Sequence, residues 1–163
     1  MKNIFCSIAI VVLITALTPT KGWTAEKAVD KDTRCSVCGM FVAKYPNWLA
    51  TLTMSDGEVK YFDGVKDMMA FYFAPQKYGA KQGATVQTIA VNDYYTLSAA
   101  DAKSAFYVVG SDVTGPMGHE FIPFASKEAA EAFSKDHQGK DILTFEAITA
   151  ERVESMRSGQ RMK

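Results

Sequence analysis

The chain has 163 residues, 48% of them hydrophobic, with 18 basic and 18 acidic side chains. That length holds one domain or two small ones, with enough apolar residues to build a core without a metal to nucleate it. The even charge balance and the lack of a basic stripe exclude a nucleic-acid partner and give no pull toward anionic lipid.

The N-terminus has the layout of an export signal. Lys2 gives a positive start, and residues 4–17 form an apolar run too short to span a bilayer comfortably. Pro19, Gly22 and Ala25 then supply the breaking and small residues of a cleavage region, so residues 1–25 read as a cleaved signal peptide. Cys6 begins the apolar run, whereas a lipidated cysteine would follow it. It is therefore read as removed with the signal, and no lipid anchor is expected. Cys35 and Cys38 remain as the mature cysteines, in an exported and oxidising compartment.

Residues 26–34 are charged and short of apolar side chains, the pattern of a flexible tether. Beyond the cysteines, residues 48–54 suit a strand, residues 55–58 a turn, and residues 59–62 a second strand. Asp63 is placed to cap a helix over 64–73, in which Val65, Met68, Met69 and Tyr72 recur at helical spacing. Strands follow at 86–92, with 94–97 as an extension, and at 105–109 and 120–124. Ser126 caps a helix over 127–135, residues 142–148 form a final strand, and residues 151–163 read as a flexible tail.

One pattern repeats. Glu58-x-x-x-Phe62 followed by Ala70-Phe71 matches Glu120-x-x-x-Phe124 followed by Ala132-Phe133 at a single offset. The repeat predicts two tandem strand–strand–helix units, 35–84 and 85–150, burying their helices on a mainly antiparallel sheet in an α+β fold.

Chemistry concentrates in Cys35-Ser36-Val37-Cys38-Gly39-Met40, two thiols and a thioether on one tight segment. Soft, polarisable donors suit Cu(I), which carboxylates do not satisfy. Gly39 lets the backbone turn so that Cys38 and Met40 converge. Gly115-Pro116-Met117-Gly118-His119 repeats the motif of two donors around a glycine. A site of Cys38, Met40 and Met117 would join the two units, with Cys35 and His119 as further ligands or neighbours of the ion. Two other readings of the thiols stay open: a disulfide or reactive Cys-x-x-Cys pair, and structural zinc, for which the only further His ligands are His119 and His137. Met54, Met68 and Met69 read as core filler, and Trp48, Tyr61 and Tyr72 as core or rim aromatics. No nucleophile–base pair and no glycine-rich phosphate loop is present, so the chain does not read as an enzyme.

The run from Cys35 to Pro46, with Trp48 and then Phe62-Asp-Gly-Val-Lys-Asp-Met68, closely resembles the NosL family, over nearly the whole mature chain. These are accessory proteins of nitrous oxide reductase. The resemblance implies a periplasmic Cu(I)-binding metallochaperone that hands copper to the reductase, or its assembly machinery, for the catalytic copper–sulfide centre. It also implies a duplicated ββα-type fold like that of organomercurial lyase. It assigns the metal to Cys38 and Met40, with Met117 as the downstream methionine and His119 as a further candidate. The alternatives are a thiol–disulfide redox protein using Cys35 and Cys38, and general periplasmic copper sequestration without a dedicated client.

Overall fold

The computed structural model describes residues 29–159. The signal peptide and Cys6 lie outside the described residues. The first sheet begins with β1 (Ala50–Met54), where Ala50, Leu52 and Met54 face inward and the threonines between them are half-buried. That alternation is the period of two that fixes which face meets the core. β1 pairs antiparallel with β2 (Val59–Phe62), matching Ala50 with Phe62. On its other edge it pairs with β3 (Val86–Asn92), matching Leu52 with Ile89. β4 (Ala99–Asp101) completes the order β2-β1-β3-β4. The second sheet has the order β6-β5-β7, from β5 (Phe106–Val109), β6 (Ile122–Phe124) and β7 (Asp141–Thr144).

The two units share one topology. In each, two antiparallel strands lead into a helix, and the strand after the helix pairs with the first. The helices are α1 (Val65–Phe73) and α2 (Lys127–Asp136). The repeat in the sequence therefore marks a true structural repeat, larger by one strand than expected. β3, assigned to the second unit by a boundary at residue 85, is hydrogen-bonded into the first sheet.

The two helices differ in burial. α2 buries Ala130 and Phe133 against Val108, Ile122 and Phe124, so one stripe faces the core and the rest meets solvent. α1 is buried from Val65 to Phe71. It lies in a core shared by both sheets, together with Leu52, Phe62, Ile89, Tyr107, Phe121 and Leu143.

The structure corrects several expectations. Residues 151–157 are not a flexible tail: α3 (Ala150–Arg157) is capped by the Thr149 side chain, which accepts from Arg152 N–H. Its Val153 and Met156 enter the shared core, and that apolar pair outweighs a charged surface. The tether ends before Thr33, because Val42 N–H donates to Thr33 O and Arg34 bridges to Phe41. The strand expected over 48–54 starts at Ala50, since Pro46 opens a short 3-10 turn through Trp48. The final strand stops at Thr144, with a 3-10 turn from Phe145 to Ala147. Residues 94–97 form a turn held by the Asp93 carboxylate instead of extending β3.

Candidate metal centre

The segment from Cys35 to Met40 is a closed turn. Cys35 N–H donates to Met40 O at 2.8 Å, and Gly39 N–H donates to Cys35 O at 3.0 Å. Gly39 stands at φ +78°, the left-handed region that glycine enters without a side-chain clash. Ser36 N–H donates to Tyr61 O at 2.9 Å, pinning the turn on β2 just before that strand reaches Asp63. Chain geometry thus carries both thiols to the corner between β2 and α1.

Two carboxylates meet them there. Cys38 Sγ lies 3.3 Å from Asp63 Oδ1, and Cys35 Sγ lies 3.5 Å from Asp67 Oδ2. One ligand atom from each of Cys35, Cys38, Asp63 and Asp67 lies within 4.8 Å of the others. Asp63 and Asp67 are four residues apart, so they share one face of the chain entering α1. Asp63 Oδ2 is buried and has no hydrogen-bond partner. A buried acceptor left unpaired costs about 1–3 kcal/mol, a cost that a cation would remove. Asp67 is held from behind, its Oδ1 accepting from Arg157 Nη1 of α3 at 2.8 Å.

The electrostatics favour protonated thiols in the metal-free protein. Burial, with the nearby Asp63 carboxylate, pushes the Cys35 thiol up to about 11. Burial also raises the Cys38 thiol, aided by Cys35 and by the nearby Asp67 carboxylate. Both cysteines are free thiols. On its outer side Cys38 lines an open pocket of about 300 Å3 with Met40, Phe41, Arg34 and Lys44.

The sequence-predicted residues divide between two places. Cys35, Cys38 and Met40 share the first turn. Met117 and His119 lie on the loop before β6, where Gly115 and Gly118 exchange backbone hydrogen bonds. Met117 is 50% exposed. The loop reaches α1 through Lys66, whose Nζ donates to Met117 O and His119 O at 2.7 and 2.8 Å. His119 is not in the four-residue cluster.

Asp63 and Asp67, which stand beside the thiols, are not among the site residues that the sequence predicts. Asp63 does not cap α1 as its position suggests: Gly64 holds the cap position, and Gly64 has no side chain to cap the helix. The usable sign is the pair of carboxylates four residues apart, just ahead of the apolar run from Met68 to Phe71.

Residues 26–153 match the NosL family. The copper-binding lipoprotein NosL of Stutzerimonas stutzeri is 31% identical over 126 residues, which are 73% of this chain and 63% of that protein. The chain thus spans under two thirds of that relative's length. Its description as a lipoprotein runs against the expectation of no lipid anchor. Among the described residues, no helix is long and apolar enough to cross a membrane. The crystal structure of the copper chaperone NosL from Shewanella denitrificans matches with a TM-score of 0.67 and 28% identity, over 78% of this chain and 97% of that one. The solution structure of apo-NosL from Achromobacter cycloclastes is 30% identical over 64% of this chain and 87% of that one, with a TM-score of 0.46. With the family match covering most of the sequence and the crystal structure sharing its fold, the chain belongs to the NosL family.

Proposed function

We propose that this protein is an exported, periplasmic Cu(I) metallochaperone, not an enzyme, and that it delivers copper for the catalytic copper–sulfide centre of nitrous oxide reductase. The observation that carries the reading is the convergence of Cys35 and Cys38 on one turn, with Met40 beside them and an open pocket at Cys38. Copper in the names of the Stutzerimonas and Shewanella relatives supports the choice of metal. Cu(I) is bound by Cys38 and Met40, with Met117 as third ligand and Cys35 or His119 as additional donors. Thioethers need no proton loss to bind, so a mixed thiolate–thioether site can pass its ion on by ligand exchange.

The thiol–disulfide alternative needs an exposed thiolate of low pKa, commonly at a helix N-terminus. Here both thiols are pushed up, and Cys35 and Cys38 sit in a turn. Sequestration without a client is separated from delivery only by a transfer assay.

Cu(I) titration of the reduced protein against a competing chelator tests the site. Cys38→Ser and Met40→Ala are each expected to weaken binding by about tenfold or more. Unchanged affinity in both variants refutes the ligand assignment. Delivery is tested by the copper content of nitrous oxide reductase matured with and without the protein; equal content leaves sequestration as the function.

A further inference from the structure

The two units align at an offset of 62 residues, as from Glu58 to Glu120, which sets Gly64 against Ser126 and Lys66 against Glu128. At these positions the copies have diverged. Ser126 caps its own helix, its side chain accepting from Ala129 N–H at 3.2 Å. Gly64 has no side chain to do so, and α1 begins with its first N–H groups in need of an acceptor. The acceptor comes from the other unit. Glu120 Oε1 accepts from Lys66 N–H at 2.6 Å and from Phe121 N–H at 2.9 Å. Glu58, its counterpart, lies at the surface and pairs with Lys60.

A second link runs the opposite way. Lys66 is 3% exposed and Glu120 4%. A lysine is buried only where its ammonium donors find acceptors, and these are the carbonyls of Met117 and His119. Two glycines line the close approach. A side-chain carbon on Gly64 would strike Glu120 Oε2, and one on Gly115 would stand 3.3 Å from Glu120 Cβ and Cγ. Each unit thus supplies the polar group that the other's backbone lacks.

The geometry points to Lys66 and Glu120 as positioning residues for the metal centre, a reciprocal clasp that holds the Met117 loop against the helix start bearing Asp63 and Asp67. This rests on the copper reading with Met117 as a ligand. The benefit is pre-organisation: a donor loop fixed in place before the ion arrives loses less conformational freedom on binding.

Cu(I) affinity is measured by chelator competition for the wild type, Lys66→Met, Lys66→Arg, Met117→Ala and the double variant Lys66→Met/Met117→Ala. Lys66→Met is expected to weaken binding about tenfold, with Lys66→Arg recovering most of the loss. Once Met117 is gone, Lys66→Met should add less than about twofold, the sign of two residues acting through one another. Equal weakening in both backgrounds, or Lys66→Met within about twofold of the wild type, overturns the clasp. A Met117→Ala protein that binds as the wild type also overturns it, while the copper reading through Cys38 stands. A wild type that takes up no Cu(I) sinks the copper reading and the clasp together. Should Lys66→Met not fold, amide hydrogen exchange on the wild type decides. Slow exchange at both Lys66 and Phe121 supports the clasp, and fast exchange at either overturns it.

Discussion

At the scale of single residues, the centre pairs chemistry that favours a cation with a cost to the empty protein. Two thiols and two carboxylates share a small volume, and one carboxylate oxygen is buried without a partner. The Cys35 thiol is raised from 9.0 to about 11, so the folded protein holds that proton more tightly than the unfolded chain. This contribution to the stability of the metal-free fold is complete below about pH 9 and is lost as pH rises through about 11. Copper binding has the opposite dependence, because every thiolate–metal bond releases a proton. Apparent Cu(I) affinity should therefore rise about tenfold per pH unit for each thiol that loses a proton, across neutral pH and into the alkaline range. Competition titrations at a series of pH values read that slope directly. A flat profile would mean that no protonated thiol is a ligand. The thiols were legible in the sequence because cysteine is chemically singular. The carboxylates were not, because an aspartate before a helix is more often a cap than a ligand.

At the scale of elements, α3 is the largest surprise. Its composition is charged, and its apolar contribution reduces to Val153 and Met156, each almost fully buried. Two anchors at i and i+3 are too few to stand out in a charged sequence, yet they suffice when a neighbouring helix receives them. α3 also brings Arg157 to Asp67, so this helix reaches the cluster of thiols and carboxylates through one ion pair. Met156→Ala is expected to destabilise the protein by about 2–5 kcal/mol, the range for emptying a core methionine site. Chemical denaturation checks it. A loss below about 0.5 kcal/mol, the size of a surface substitution, would mean that α3 is not docked as described. α2, by contrast, was legible from end to end: a serine cap, acidic first turn and apolar stripe all agree, and the structure adds one residue at its C-terminus.

At the scale of the molecule, duplication and specialisation go together. Both units fold by the same order of strands and helix, but only the first carries the cluster of thiols and carboxylates. At the offset of 62, Asp63 and Asp67 correspond to Ala125 and Ala129. The second unit supplies packing and the Glu120 cap in place of ligands for that cluster. Because α1 belongs to a core that both sheets share, residues 29–103 alone should fail to fold: the cluster around Phe62, Val65 and Met68 would lose Tyr107, Phe121 and Leu143. Proton NMR of that fragment should show collapsed amide dispersion, and a well-dispersed spectrum would refute the shared-core account.

The sequence by itself determined the repeat, the α+β class, most strand positions, the helices α1 and α2, and the sulfur-rich turn. Each of these is written in local periodicity, turn chemistry or a rare side chain. Only the tertiary structure decided that β3 belongs to the first sheet, that residues 151–157 form a docked helix, and that Asp63 and Asp67 stand over the thiols. Those outcomes depend on contacts between residues distant in the chain, such as Arg157 with Asp67 and Glu120 with Lys66. Such pairs leave no periodic mark on the sequence, because each partner separately has a plausible local role as cap, surface charge or tail.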